Sequence, residues 1–333
     1  MAYAKLTDRP VLVAPDGFKG TFRATEVAAA IGRGLESAGL RPPDLCPVAD
    51  GGHGTMEVLL TALGGDTAAA RVHDPLGREI EAGFALVEDG GTAIVEMARA
   101  SGLALLNPDE LDAEAASTRG TGELVLAAAE AGAQVVLVAC GGSATTDGGV
   151  GAIEAIEDGA GLRGARIVCL CDVRTPFERA AEVFGPQKGA DPATVKRLTK
   201  RLNAVAEKLP RDPRGEPMTG CAGGLSGGLW AQYGAALEPG AAFVLRALDF
   251  DARMRAARAV IVGEGRIDEQ TMQGKIAGEI ATRARQAGVP CFAIVGSSEL
   301  DAFGARMLDL QRVIEATDLE AIAAAAASLV DVI

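Results

Sequence analysis

Residues 11–20, VLVAPDGFKG, and residues 259–271, AVIVGEGRIDEQT, each run an apolar, strand-like stretch straight into a turn of glycine and charge. Two more stretches repeat the pattern: LCPVADGGHGT at 45–55 and VVLVACGGSATTDGG at 135–149. Near-continuous apolar runs mark parallel strands buried on both faces, and the turns beyond their carboxyl ends are where open α/β sheets present polar groups to a ligand. The expected fold class is therefore α/β, built on parallel sheet.

Working outward, the opening segment reads as a βαβα unit. Its strand is Pro10–Ala14, followed by a helix over about Thr25–Ala38, a strand at Leu45–Ala49, and a helix over about Thr55–Leu63 that Thr55 caps and Gly64 and Gly65 end. Residues 66–102 alternate over short runs broken by DPLG and EDGG, which predicts an antiparallel meander. A helix over about Gly122–Ala131 and a strand at Gln134–Ala139 lead into CGGSATTDGG. The strand IVCLCDV and a helical stretch around Pro192–Leu209 follow. From about Arg253 the βαβ texture returns and ends in an alanine-rich helix. A sheet begun at the amino terminus and completed by the last segment makes the middle an insertion. The expected domains are residues 1–69 with 249–333, and an inserted second α/β domain at 70–248, with the ligand in a crevice between them.

A chain of 333 residues exceeds what one hydrophobic core usually serves, which also favours two domains. Hydrophobic residues make up 48% but aromatics only 4%, so the cores must be built from Ala, Val, Leu and Ile. The net charge of −13, with no lysine and arginine cluster, argues against nucleic-acid or anionic-membrane partners. The first residues lack a secretory pattern and no apolar run would span a bilayer, so a cytoplasmic location is expected. The six cysteines show no CxxC pair and sit mostly in apolar runs, as reduced core thiols do.

The familiar phosphate loops are absent. Gly274-Lys275 is followed by Ile276 and has Glu269 where GxxxxGK[ST] needs its first glycine, and no GxGxxG follows the first strand. Other turns carry the chemistry. CGGSATTDGG offers backbone donors at Gly141 and Gly142, hydroxyls at Ser143, Thr145 and Thr146, and Asp147, either as a phosphate nest or as a tight turn in which Asp147 caps the next helix. GEGRIDEQTMQGK gathers Glu264, Arg266, Asp268 and Lys275: carboxylates for a divalent cation and cations for anionic oxygens. DGFKG brings Asp16 and Lys19, and DGGHGT brings Asp50, Gly51 and Gly52, to the same sheet edge. FGPQKGAD, with Lys188, and STRGTGE, with Arg119, fit a ligand contact and a plain turn equally well. With two histidines and no HExxH or nucleophile elbow, hydrolase and zinc chemistry lack support. The parts are those of phosphoryl transfer.

Taken in order, APDGFKG, PVADGGHGT, DPLGR, EMARASGLALL, STRGTGELV, GGSATTDGGVG, CDV, VFGPQKGA, GGLSGGL and GEGRIDEQTMQGK resemble the bacterial glycerate kinase family along nearly the whole chain. The resemblance implies a discontinuous Rossmann-like domain with an inserted second domain. It also implies transfer of the γ-phosphate of ATP to a hydroxyl of D-glycerate, most often the 2-hydroxyl, with Mg²⁺. His53 and Thr146 stand where family members generally carry Glu and Asn, so no role is carried over to either. On this reading Asp16, Lys19, Arg266 and Asp268 form the catalytic set, with Asp16 or Asp268 as the base. Gly141, Gly142, Ser143, Thr145, Asp147 and Lys275 meet the nucleotide phosphates. Asp50, Gly51, Gly52 and Arg266 meet the acceptor, and Glu264 and Asp268 meet the metal. The alternatives are a noncatalytic two-domain binder of a small hydroxy acid and 3-hydroxyl regiochemistry. A homo-oligomer is compatible with either.

Overall fold

The computed structural model describes residues 9–18, 20–268, 271, 275–300 and 302–333. Lys19 lies outside the described residues. The chain opens with β1 (Val11–Pro15), α1 (Ala24–Ser37) and β2 (Asp44–Leu45). It continues through α2 (Thr55–Leu63), β3 (Asp66–His73), β4 (Glu79–Val87), β5 (Thr92–Glu96) and α3 (Ala98–Ser101). Next come α4 (Arg119–Glu130), β6 (Val135–Ala139), α5 (Val150–Asp158), β7 (Arg166–Cys171), α6 (Ala180–Phe184), α7 (Pro192–Ala206), α8 (Cys221–Tyr233) and β8 (Ala236–Pro239). The last stretch holds α9 (Gly240–Ala247), α10 (Phe250–Ala256), β9 (Ala259–Ile267), α11 (Ile276–Ala287), β10 (Cys291–Ser298), α12 (Ala302–Met307), β11 (Leu310–Glu315) and α13 (Leu319–Ala327).

Contacts divide the chain into two units, one formed by the residues up to Asp50 with Ala241–Ile333, the other by Gly51–Gly240. The seams differ from the 69/70 and 248/249 read in the sequence. α2 is what moves the first one: it packs on β4 and β5, and the Met56 N–H donates to the buried Glu96 carboxylate at 2.9 Å.

In the first unit the strands lie in the order β11-β10-β9-β1-β2, every pair parallel. Counted along the chain, this is the 2-1-3-4-5 order of a doubly wound sheet, whose connections reverse direction between β1 and β9. Alternation puts Val11, Val13, Ile261 and Ile294 against α1 and α13, in one core with Ile31, Leu35 and Ile322. Leu12, Ala14, Val260 and Val262 are buried on the opposite face, where α11 packs on β9 and β10. Apolar residues on both faces explain the unbroken runs VLVA and AVIV. β2 is shorter than the predicted Leu45–Ala49. Cys46 and Val48 donate to Val13 and Pro15 at 2.8 and 2.9 Å, but Pro47 between them has no N–H to extend the ladder.

The second unit has a six-stranded sheet in the order β3-β4-β5-β6-β7-β8. β3, β4 and β5 form the expected antiparallel meander, and β5 through β8 run parallel. α4, α5 and α8 bury Leu124, Ile156, Leu225 and Leu229 against Val95, Val138 and Cys169. A smaller core of Phe177, Leu198 and Leu202 anchors α7. All six cysteines are free and buried. Among the described residues no helix is long and apolar enough to cross a membrane. Thr55 is not a cap: Gly54, in the left-handed region at φ 90°, precedes the helix, and the Thr55 hydroxyl is buried without a hydrogen-bond partner among the described residues.

Candidate active site

Asp16 directly follows β1 and Glu264 lies toward the carboxyl end of β9, both buried, on either side of the point where the sheet's connections reverse. That crevice is where doubly wound sheets bind ligands. A cleft of about 360 Å³ opens there, lined by Gly17, Thr21, Glu264, Arg266, Lys275 and Ser297 among others. The Asp16 N–H donates to the Gly263 carbonyl at 2.9 Å, continuing the β1–β9 ladder, and its Oδ1 accepts the Gly17 N–H at 2.7 Å. The backbone therefore fixes this carboxylate.

Lys275 stands at the N-cap of α11 and points its ammonium at Glu264 Oε1, 3.1 Å away, and at Asp268 Oδ1, 3.6 Å away. Arg266 Nε lies 3.6 Å from the other Asp268 oxygen, while its outer nitrogen pairs with Glu299. Thr271 ties the turn together: its N–H donates to the Asp268 carbonyl, and its hydroxyl accepts the Asp268 N–H at 3.1 Å. Glu264, Arg266, Asp268 and Lys275 are thus one charged network at the cleft. Asp50 is also buried in this unit, beyond β2, next to β1 in the sheet.

The glycine loop after β6 divides into two halves. Asp147 is buried and its carboxylate accepts from four donors: the Thr118 N–H at 2.8 Å and hydroxyl at 2.7 Å, and the Gly149 and Gly151 N–H groups at 3.1 and 3.2 Å. It joins the starts of α4 and α5, which is the capping alternative rather than a phosphate contact. Thr145 is fully buried, with its hydroxyl on the Ala222 carbonyl at 3.4 Å. The segment it meets, Ala222-Gly223-Gly224, holds three successive left-handed residues, and a Cβ on Gly223 would lie 2.0 Å from the Thr145 carbonyl oxygen. Only glycine fits so close a backbone crossing. The first half differs. The N–H groups of Gly141, Gly142 and Ser143 make no hydrogen bond among the described residues. A Cβ on Gly141 would lie 2.6 Å from Gly52 Cα and 3.4 Å from an Asp172 oxygen, so the DGGHGT turn rests directly on this loop.

Beneath the loop lies a lysine to which the sequence assigned no role. Lys188 is buried, and its Nζ donates to Ser143 Oγ at 2.8 Å and to the Thr145 carbonyl at 2.6 Å. Burial pushes its pKa down to about 7, against the opposing pull of Asp147 and Asp172. Glu96 and Asp172 were likewise overlooked as site residues, though TAIVE and VCLCD end apolar runs in a carboxylate as the four chosen stretches do. Arg119, by contrast, pairs with Glu123 and Asp158 at 3.2 and 3.1 Å and serves the α4 surface.

The profile of the Glycerate kinase family matches residues 11–161 and 157–331. The chain belongs to the glycerate kinase family. It is 38% identical over 332 residues to a glycerate kinase of Bacillus subtilis (strain 168), with 88% of this chain and 86% of that one covered. Against a glycerate 2-kinase of Escherichia coli (strain K12) the identity is 36% over 326 residues, covering 86% and 85%. A solved structure ascribed to a glycerate kinase 2 of Salmonella typhimurium LT2 superposes with a TM-score of 0.80 at 33% identity, covering 97% of this chain and 98% of the other. The chain is accordingly a kinase of this family, with a small-molecule substrate.

Proposed function

We propose that this glycerate kinase transfers the γ-phosphate of ATP to the 2-hydroxyl of D-glycerate with the help of Mg²⁺. The observation that carries the reading is the cleft at the reversal point of the first sheet, lined by Gly17, Glu264 and Lys275, with Asp16 directly after β1. Asp16 is assigned as the base that takes the hydroxyl proton. Asp268, the other candidate, is assigned with Glu264 to the metal, since both approach Lys275. Lys275 and Arg266 are assigned to anionic oxygens of substrate and nucleotide, and the free N–H groups of Gly141, Gly142 and Ser143 to phosphate. Asp50, Gly51 and Gly52 remain assigned to the acceptor.

Among the described residues no three or more His, Cys, Asp or Glu side chains form a ready metal cage. Mg²⁺ needs none, since it is commonly held by one or two carboxylates and the substrate phosphates. Glu264 and Asp268 suit that role, because both direct an oxygen at the single ammonium of Lys275. Bound there, Mg²⁺ would offset charge on the phosphoryl oxygens.

Incubation with D-glycerate and ATP, followed by phosphorus NMR, tests the reading. A phosphate split by one proton marks 2-phosphoglycerate, and one split by two marks the 3-isomer. An unphosphorylated acid would leave only binding.

Lys188 adds a pH dependence. Its Nζ can donate to Ser143 and Thr145 whether charged or neutral, so titration changes the charge under the loop rather than its shape. Affinity for ATP is expected to weaken by roughly tenfold between about pH 6 and about pH 8.5 as the cation is lost, and Lys188→Met should remove that component. Calorimetric titration of both proteins across pH checks it, with identical profiles counting against. Stability runs the other way. Between about 7 and 10.5 the unfolded chain holds a proton that the folded one has released, so the Lys188 contribution rises with pH over that window.

A further inference from the structure

One cation of the second unit has no part in the scheme above. Glu96 ends β5 and is buried. Its Oε1 accepts the Met56 N–H at 2.9 Å and its Oε2 accepts Nε–H of Arg99 at 3.0 Å, with His53 Nδ1 3.8 Å from the same oxygen. Arg99 is thereby gripped along one edge. Its two outer nitrogens make no hydrogen bond among the described residues, and the side chain is 37% exposed. A guanidinium fixed at Nε with both outer nitrogens open is a preset fork for a carboxylate or phosphate.

Its surroundings point to the glycine loop. β5 pairs in parallel with β6 so that Glu96 lies opposite Ala139, two residues before Gly141. The Leu103 N–H donates to the Gly142 carbonyl at 2.9 Å and the Ala144 N–H to the Ser101 carbonyl at 2.9 Å, stitching the end of α3 to the loop. A Cβ on Gly142 would lie 3.3 Å from that of Ala98, the residue before Arg99. The fork and the unpaired loop N–H groups therefore share one corner of the sheet edge.

We propose that Arg99 is a specificity-determining residue of the kinase reaction, its outer nitrogens binding an oxyanion of a substrate, with Glu96 as the positioning residue. The assignment rests on the reading given under Proposed function. The oxyanion is either the carboxylate of the hydroxy acid or a phosphate of the nucleotide. Steady-state kinetics and calorimetric titrations of Arg99→Met, Arg99→Lys and Glu96→Gln, with D-glycerate and with Mg·ATP, separate the two. Arg99→Met should raise KM and Kd for one substrate by about 10–100-fold, the range of a lost charged hydrogen bond, and leave the other within a few-fold. An effect on glycerate identifies the carboxylate, and one on ATP identifies the phosphate. Arg99→Lys should recover only part, because an ammonium lacks the fork. Glu96→Gln should shift the same constant in the same direction by less.

A purely structural ion pair would lower the melting temperature of Arg99→Met and leave both constants within twofold, which would overturn the proposal. A wild-type chain that makes no phosphoglycerate sinks the kinase reading separately. The titrations then still decide Arg99: a wild-type isotherm lost in Arg99→Met upholds it, and indistinguishable isotherms overturn it.

Discussion

Asp16→Asn is expected to lower kcat by about 10²–10⁴ while leaving the melting temperature nearly unchanged, the range associated with loss of a positioned general base. The amide is isosteric, its oxygen can still accept the Gly17 N–H, and the main-chain bond to Gly263 is untouched. The substitution removes the negative charge and with it the capacity to take a proton. Glu264→Gln is the companion variant. It should lower kcat by about 10²–10³ and raise the Mg²⁺ concentration needed for half-maximal rate, as expected for lost charge at a phosphoryl site. Single-turnover phosphorylation of D-glycerate measures both. A folded Asp16→Asn protein with near-normal turnover removes Asp16 from the chemistry. A Glu264→Gln enzyme with an unaltered Mg²⁺ requirement removes Glu264 from the metal.

Asp147→Ala should cost the second unit about 4 kcal/mol or more, enough that much of the protein is recovered unfolded. One buried carboxylate meets four donors, two from Thr118 at the start of α4 and two from Gly149 and Gly151 at the start of α5, and deleting it strands all of them away from water. Asp147→Asn keeps one acceptor oxygen but turns an NH₂ toward a donor, so about half that loss is expected. Urea unfolding of each variant gives the numbers. Had the residue been a phosphate contact, the variants would keep their stability and lose ATP affinity instead, so the two readings predict opposite outcomes.

Much of this architecture could be read from the chain. The helix over Thr55–Leu63 lies where its apolar spacing and closing glycine put it, and the first sheet's strands lie where unbroken apolar runs require two covered faces. β2 was overextended because apolar patterning cannot register a missing donor at Pro47. The charged network of Glu264, Arg266, Asp268 and Lys275 was legible because its members are near in sequence and share one strand end. The bonds from Thr118 to Asp147 and the enclosure of Lys188 were not, because those partners are distant in sequence. Thr118 stands just before α4 and Ser143 on another loop, and a polar segment such as GPQKG gives no sign that its lysine is fully enclosed. Glu96 carried the strand-then-carboxylate signal, but without the glycines that made the other turns conspicuous.

The first sheet also constrains how the protein is made. β1 leaves the ribosome before the insertion, yet the strand beside it, with Val11 opposite Ala259, is synthesised only after the whole of Gly51–Gly240. Until then β1, α1 and β2 are a nascent apolar segment without its central neighbour, and their long-range pairing makes their assembly slow. Ribosome-bound chains arrested before residue 259 should therefore protect the insertion from protease while leaving the amino-terminal segment open to cleavage and to chaperone capture.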